Sequence, residues 1–237
     1  MSADSPYILL GDVTIPAGSS LAIESGVEVH VASGDAQGAG LDPDRVEFTV
    51  NGSLVAHGRP ANRIVFRAEA VSGSSTWYGM VVGTGATVGT FEDLDIRNAR
   101  FGLLASNTTF EMRHVTISFC DTGMSVNGGS IVLGDSRFFS NRVALAQAGS
   151  STMVSVGNSL ITSSEIGFDV RGGSLLLHSS TVATNQTGLL VSDSGWAIAT
   201  DSVVARCATG VLVSNAIAGI ERCSFFGNGS EIGRAHV

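Results

Sequence analysis

The chain has 237 residues, of which 43% are hydrophobic and 14% charged, and its 13 basic and 21 acidic residues give a formal net charge of −8. This length can bury a substantial core within one domain. The acidic balance excludes nucleic acid as an expected partner, and no apolar run approaches the roughly 18–20 residues that a membrane helix needs. Three cysteines cannot form a closed set of disulfides, and we predict that all are free.

The first ninety residues are predicted to form an N-terminal cap and the early coils of a repeat domain, within the segment 1–90. The stretch VTIPAGSSLAIESGVEVHV, residues 13–31, alternates apolar and polar residues as strands do. SGDAQGAGLDPDR, residues 33–45, is typical of a loop that leaves the main body. RIVFRA at 63–68 and WYGMVV at 77–82 resume the strand pattern.

Residues 91–230 contain a repeat of 21–23 residues. A column of small residues recurs with steps of 21, 21, 23, 21 and 22, and an apolar column has the same irregular steps followed by one of 21. Chance patterning would not give two columns the same irregular steps, so the steps define structural coils. The small column is Gly102, Gly123, Ala144, Gly167, Gly188 and Gly210, and the apolar column is Ile96, Ile117, Phe138, Ile161, Val182, Val204 and Phe225.

Each repeat is predicted to hold three short strands and three corners. Apolar residues alternate with period two, as at Val211 and Val213, and turn sequences such as NGG at 127–129 interrupt them. Stacked in register, such repeats form an all-β, right-handed, single-stranded parallel β-helix with coils about 4.8 Å apart. All four prolines lie at or before Pro60, which agrees with strands paired on both sides, because proline cannot donate to a ladder.

Three columns are predicted to face the interior. They are the apolar column above, a second apolar column and a column of small hydroxyls, which can hydrogen-bond to the backbone and therefore imply no nucleophile. Outside these three columns, Gln147 is an awkward residue, since it falls where Val126 and Val170 stand in neighbouring coils. The second apolar column is Leu103, Met124, Leu145, Phe168, Leu189 and Val211, and the third column is Ser136, Ser159, Ser180, Ser202 and Cys223.

The repeat is predicted to stop at Ser230. Asn228 lies 21 residues after Cys207, as the repeat predicts, but Glu231 occupies the position where the repeat predicts the next small residue. EIGRAHV, residues 231–237, resembles the translation of a common sequencing adapter. We therefore expect 231–237 to be an artefact without a coil to complete. The regular coils of 91–230 would then be truncated, with an unpaired strand edge at their end.

The sequence resembles a protein family in two places. The pattern N-x-x-G-Φ-x-V, fullest at Asn185–Val191, and GDVTIPAGSSLAIESGVEV at 11–29 resemble bacterial right-handed β-helix repeat proteins of the pectate-lyase-like superfamily, over roughly residues 6–230. The family includes pectate lyases, polygalacturonases, alginate epimerases, phage tailspikes and surface adhesins. The resemblance implies an extracellular or cell-surface protein that meets polysaccharide, although no signal peptide is visible in the sequence.

The catalytic motifs of that family are missing from the sequence. The Asp-Asp pair, Asn-x-Asp and Gly-His-Gly of its hydrolases do not occur, and the repeats lack the proline that accompanies the arginine base of its lyases. We therefore predict no catalytic residue, metal or cofactor, and a non-catalytic carbohydrate-associating or structural domain. Two alternatives remain: a fragment of a polysaccharide lyase, hydrolase or epimerase whose active site lies in missing coils, and an adhesin shaft.

One outward face carries the candidate site. Strand alternation places Asp93/His114/Asp135 in one column and Asp95/Thr116/Arg137 in the next. A histidine between two carboxylates could act as a base or bind a sugar hydroxyl, whereas a solvated ladder of complementary charges explains the same pattern. The candidate ligand-binding residues are Asp93, Asp95, Arg97, His114, Asp135 and Arg137.

Other polar and aromatic residues have structural explanations. The aspartates of loop 33–45 lack the spacing of a calcium loop and are typical of a polar turn. The histidines His30, His57 and His178 are scattered and share no metal-ligand spacing. Trp77 and Tyr78 could stack on a sugar, but at a strand start they are predicted to join the core.

Overall fold

The computed structural model describes residues 5–70 and 73–234. Within these residues all regular structure is β-strand, and none of it is a helix long and apolar enough to cross a membrane. The strands are β1 (Tyr7–Leu9), β2 (Val13–Ile15), β3 (Ser20–Ile23), β4 (Glu28–Val31), β5 (Glu47–Val50), β6 (Ser53–His57), β7 (Ile64–Ala68), β8 (Trp77–Val82), β9 (Thr87–Glu92), β10 (Leu94–Arg97), β11 (Ala99–Arg113), β12 (Thr116–Ser118), β13 (Thr122–Gly134), β14 (Arg137–Phe139), β15 (Val143–Gly157), β16 (Leu160–Thr162), β17 (Ile166–Arg171), β18 (Ser174–His178), β19 (Thr181–Ala183), β20 (Thr187–Ser192), β21 (Trp196–Thr200), β22 (Val203–Ala205), β23 (Thr209–Ser214), β24 (Ile217–Glu221), β25 (Ser224–Phe226) and β26 (Ser230–Arg234).

The strands stack into three parallel faces around a common core. Face A is the ten-stranded ladder β1-β4-β7-β10-β12-β14-β16-β19-β22-β25. Face B runs β2-β5-β8, continues through the first halves of β11, β13 and β15, and ends in β17-β20-β23-β26. Face C holds β3, β6 and β9, the second halves of the same three long strands, and then β18, β21 and β24. The predicted all-β parallel β-helix is confirmed.

The register confirms the coil steps read from the sequence. Ile96 pairs with Ile117 and Ile117 with Phe138, and the longer step that follows pairs Phe138 with Ile161. The residues of this column are at most 1% exposed as far as Val204, and Phe225 is half-buried at the open end. Apolar side chains of successive coils therefore form one continuous core, as period-two alternation requires.

The second apolar column is also buried, and so is Gln147, which stands two residues further along the strand in the column of Val126 and Val170. Leu103 to Val211 are at most 1% exposed, and Gln147 is 2% exposed between Val126 and Val170. Its Nε2 donates to the Gly172 carbonyl at 3.3 Å, whereas its Oε1 has no partner within the described chain. Such a half-satisfied amide in an apolar stack costs free energy.

The corners before and after face A each repeat one backbone conformation. In almost every regular coil a non-glycine residue adopts a positive φ there, a region that L-residues seldom occupy. The stacking of identical corners keeps the coils in register. The first corner column is Asp93, His114, Asp135, Asn158, Ser179, Asp201 and Arg222, and the second is Asn98, Phe119, Ser140, Ser163, Thr184, Arg206 and Gly227.

Two polar ladders satisfy the backbone at these corners. Ser159 Oγ accepts from the Ser136 N–H of the preceding coil at 3.1 Å and donates to the carbonyl two residues earlier at 2.8 Å, and Ser180 repeats the pattern. Asn141 and Asn185 each accept a backbone N–H of the preceding coil at 2.9 Å. The serine column is interior, as predicted, and the three cysteines are free thiols.

The prediction that no coil forms after Ser230 is wrong. β26 pairs in parallel with β23, with Val211 opposite Ile232 and Val213 opposite Arg234. Without β26, the last edge of β23 would leave its backbone donors and acceptors free. Any sequence that follows can pair with them, so this pairing does not need the side chains of the repeat. The origin of this segment stays a prediction, and 235–237 lie outside the described residues.

Candidate functional site

The six candidate residues lie on face A and at the corner before it. Asp95, Thr116 and Arg137 are direct neighbours on β10, β12 and β14. Asp93 and His114 occupy equivalent corner positions, with φ of 48° and 53°. The parallel ladder thus places outward side chains of successive coils side by side.

An arginine absent from the candidate set holds the two aspartates. Arg63 donates from Nη1 to Asp93 Oδ1 and from Nε to Asp95 Oδ1, both at 3.1 Å. Its Nη2 also donates to the carbonyls of Leu94, at 3.1 Å, and His114, at 2.5 Å. One guanidinium therefore joins two carboxylates to the backbone of two coils, in the geometry in which charge-assisted hydrogen bonds are strong.

The expectation of a fully solvated charge ladder is wrong for Asp93 and Asp95. They are 4% and 6% exposed, because Arg63 covers them and Arg97 Nη2 donates to Asp95 Oδ2 at 2.8 Å. Arg63 directly precedes Ile64, which pairs with Leu94. The step from Arg63 to Asp93 is 30 residues, longer than the repeat, so column alignment did not find it.

His114 and Asp135 do not complete the predicted sandwich. The side chain of His114 is 48% exposed, and its Nδ1 lies 3.9 Å from Asp93 Oδ1. The carboxylate of Asp135 instead accepts a hydrogen bond from Asn158 Nδ2 in the following coil. Asp93, Asp95 and Arg97 thus join the network centred on Arg63, and the exposed imidazole of His114 lies at its edge. Asp135 is bonded outside the candidate set.

The same corner contains two residues that the candidate set did not include. Glu92 ends β9, directly before Asp93, and its parallel neighbour on β6 is His57. His57 Nδ1 lies 3.3 Å from Glu92 Oε2. Ligand atoms of Glu92, Asp93 and His114 all lie within 4.8 Å of one another. The column pattern placed Asp93 beside His114 but did not include Glu92, which lies in the same coil as Asp93 and joins them only at the folded corner.

An aromatic pair lies at the far end of the same strands on face A. The rings of Phe119 and Phe139 meet edge to face, with centroids 5.5 Å apart and an interplanar angle of 81°. Arg137 Cζ lies 4.6 Å from the Phe139 centroid. Phe119 is 45% exposed, so face A offers an apolar surface next to its charged ladder. By contrast Trp77 is fully buried, as predicted, and Nε1 donates to the Arg97 carbonyl.

A second carboxylate pair, absent from the sequence-based candidates, lies on face B. Asp12 Oδ1 accepts the Glu47 N–H at 2.8 Å, and Glu47 Oε1 accepts the N–H groups of Leu41 and Asp42 at 2.6 and 2.8 Å. A Cβ on Gly40 would stand 2.5 Å from Asp12 Oδ2 and 2.7 Å from Glu47 Oε2. Loop 33–45 therefore folds back over the pair, and at the Gly40 φ of 72° a side chain would be strained and would displace a carboxylate.

This pair lines a cleft and has perturbed acidity. The cleft has a volume of about 570 Å³, and Thr14, Thr49 and Asn51 are among its lining residues. Burial raises the pKa of Glu47, partly offset by its backbone hydrogen bonds, and burial likewise raises the pKa of Asp12. The nearby negative charges add to both shifts.

The loop aspartates form polar turns, as the sequence favours. Asp35 accepts the N–H groups of Gln37 and Ala39, at 3.0 and 2.9 Å. Asp42 accepts from Arg45 Nη1 at 2.8 Å. These oxygens hold the loop's own backbone and side chains, which accounts for their position without a bound ion.

Comparison with solved structures places this architecture among known folds. The chain is similar to pectate lyase Pel9A, with a TM-score of 0.56 and 14% sequence identity over 88% of this chain and 70% of that one. The fold is a pectate-lyase-like parallel β-helix. No family model matches the sequence, and neither does any curated protein. The fold that the family resemblance implied is thus confirmed.

Proposed function

We propose that this chain is a non-catalytic β-helix domain that binds polysaccharide along face A, with Phe119 and Phe139 as its apolar platform. Sugar rings have apolar faces that pack on aromatic rings, and hydroxyls that hydrogen-bond to carboxylates and guanidinium groups. Face A offers both kinds of partner on neighbouring coils, since Arg137 lies over the Phe139 ring and next to Thr116.

The exposed aromatic side chain at Phe119 is the observation that carries this proposal. The equivalent corners of the next coils hold Ser140, Ser163 and Thr184, all with the same left-handed φ as Phe119. A bulky residue is uncommon in this region, so Phe119 differs from its neighbours by its side chain. The large side chain there is also 45% exposed, so its burial in the core does not explain it.

The ligand class follows from charge and from the similar structure. Pectate lyase Pel9A is by its name an enzyme of an acidic polysaccharide, and the shared fold is the reason to consider polysaccharides here. The net charge of −8 disfavours an acidic chain in the absence of cations. We therefore favour a neutral glycan, met outside the cell or at its surface.

Affinity electrophoresis tests this function. The protein is run through native gels containing a neutral glycan, pectate or alginate, alongside Phe119→Ser and Phe226→Ser. Serine occupies the Phe119 position in two neighbouring coils, so the first variant keeps a tolerated backbone. Phe226 is 52% exposed on face A, four coils beyond Phe139 in the same column.

We expect a glycan to retard the native chain and Phe226→Ser, but not Phe119→Ser. Equal retardation of all three would remove Phe119 from the binding site. If no glycan retards the native chain, the adhesin-shaft alternative is favoured instead.

Asp12 and Glu47 support a second candidate, a glycan-cleaving enzyme. Raised carboxyl pKa values in a cleft are typical of general acids. Assays for new reducing ends and for unsaturated products, with Glu47→Gln as the comparison, test it. Turnover that this substitution abolishes would replace the non-catalytic proposal.

A further inference from the structure

We propose that Glu92, Asp93 and His114 form a binding site for one divalent transition-metal ion of the Zn²⁺ class, independently of any glycan bound on face A. Their potential ligand atoms lie within 4.8 Å of one another. Glu92 and Asp93 are consecutive at the corner between face C and face A, and His114 occupies the same corner one coil further on. The parallel stacking alone brings them together.

The donor set selects the class of ion. One imidazole nitrogen and two carboxylates suit Zn²⁺ and its neighbours, whereas Ca²⁺ takes six to eight oxygen ligands. Three protein ligands would leave at least one coordination position open to solvent. The side chains of Glu92 and His114 are 39% and 48% exposed, so an ion can reach them without opening the fold.

Residues around the three donors hold two of them in place. Arg63 fixes one oxygen of Asp93 at 3.1 Å, and His57 Nδ1 lies 3.3 Å from Glu92 Oε2. Partners of this kind orient the groups that bind a metal and affect affinity strongly. Gly58 lies beside Asp93 in the preceding coil, where an added Cβ would come within 2.3 Å of the Asp93 carbonyl.

The distances require only a small contraction. With metal–ligand bonds of about 2.0–2.2 Å, donors of a tetrahedral site lie roughly 3.3–3.6 Å apart. The largest separation here is below 4.8 Å. The imidazole already lies 3.9 Å from Asp93 Oδ1. Rotamer changes of the two exposed side chains can supply the remaining contraction.

The local charge also favours a cation. The corner and its next coil contain four carboxylates, of Glu92, Asp93, Asp95 and Glu111, against three guanidinium groups. The guanidinium groups are those of Arg63, Arg97 and Arg113, and Arg113, the parallel neighbour of Glu92, pairs with Glu111. The excess negative charge lies on Glu92, whose described partner is the imidazole of His57. A bound cation would neutralise it.

Equilibrium dialysis of the metal-stripped full chain against a series of Zn²⁺ concentrations tests the site. The variants are His114→Asn and Glu92→Gln, and the matched control is His178→Ala. Asparagine is a suitable replacement, because Asn158 has a φ of 46° at the equivalent corner. His178 ends β18 in the column of Glu92 but lies several coils away. Thermal unfolding of each metal-free variant checks that it is folded.

We expect one Zn²⁺ per native chain and an affinity that falls by about tenfold or more in His114→Asn and Glu92→Gln. The control variant His178→Ala should bind Zn²⁺ as the native chain does. Binding unchanged in His114→Asn, no bound Zn²⁺, or Ca²⁺ held as tightly as Zn²⁺ would each overturn the proposal. Glycan retardation is measured separately, so failure of this site leaves the face A proposal intact.

Discussion

Arg63 and Asp93 are 30 residues apart in the chain, yet Arg63 Nη1 lies 3.1 Å from Asp93 Oδ1. The same guanidinium holds Asp95 at 3.1 Å and covers both carboxylates from solvent. Removing water from two carboxylates is costly unless a cation and further hydrogen bonds replace it. These side chains point outward by strand alternation, and together they form a polar layer around the core of the β-helix.

Substituting this arginine should destabilise the protein strongly. In Arg63→Met the two buried carboxylates lose their shared cation, and we expect the free energy of unfolding to fall by about 3–5 kcal/mol. Urea denaturation followed by circular dichroism measures it. Arg222→Met is the matched control, because Arg222 pairs with Asp201 at 2.7 Å on an exposed surface and exposed pairs contribute little. A similar fall in the free energy of unfolding in both variants would contradict the claim that Arg63 stabilises two buried carboxylates.

The carboxyl pair on face B predicts a pH dependence of stability. Burial raises the pKa of Asp12 and of Glu47 in the folded chain. A raised folded pKa means that the folded chain holds the proton more tightly, so stability is lost as pH rises through that range. We expect Asp12→Asn to raise the melting temperature at neutral pH, and the gain to shrink as the pH falls toward about 4.

Thermal unfolding across this pH range measures the effect, with each kcal/mol of stability worth about 2–4 °C at this chain length. Asp35→Asn is the control with the opposite sign. Backbone hydrogen bonds from Gln37 and Ala39 lower the pKa of Asp35, so its charge stabilises the fold at neutral pH. A gain for Asp12→Asn that is constant with pH would rule out relief of the buried charge as its cause.

Replacing a serine of the buried ladder by alanine should destabilise the protein more than replacing an exposed serine. Ser159→Ala removes the acceptor of the Ser136 N–H and the donor to the Gly157 carbonyl, both at a buried corner. We expect a loss of about 1–3 kcal/mol, the cost of leaving buried polar groups unpaired. Ser151→Ala, at an exposed position of β15, should have the same midpoint of denaturant unfolding as the unsubstituted chain. Equal midpoints would show that the ladder contributes no stability.

The cysteines should differ in reactivity while all remaining reduced. Burial raises the pKa of Cys120 to about 12 and also raises that of Cys207, and the thiolate is the reactive form. Cys223 is only half-buried. Titration with a thiol reagent should find one accessible thiol in the folded chain and three after denaturation without reductant. A single thiol after denaturation would mean that a disulfide had formed.

The coil steps and the interior columns could be predicted from the sequence by itself. Every coil must bury the same face of each strand, and a slip of one residue would turn its apolar side chains outward. The register therefore appears in the pattern, and Ile96 and Ile117 are neighbours because both are apolar at the same point of the repeat. Even the awkward Gln147 was placed correctly by its column.

The outer layer was decided only by the tertiary structure. Arg63 reaches Asp93 across an irregular step, and Asp12 meets Glu47 under a loop that interrupts the repeat. These contacts depend on where an insertion rejoins the stack and on how far a flexible side chain reaches, neither of which has a period. The pairing of β26 was also hidden from the pattern, because a free strand edge bonds to backbone groups, which every residue except proline carries in full.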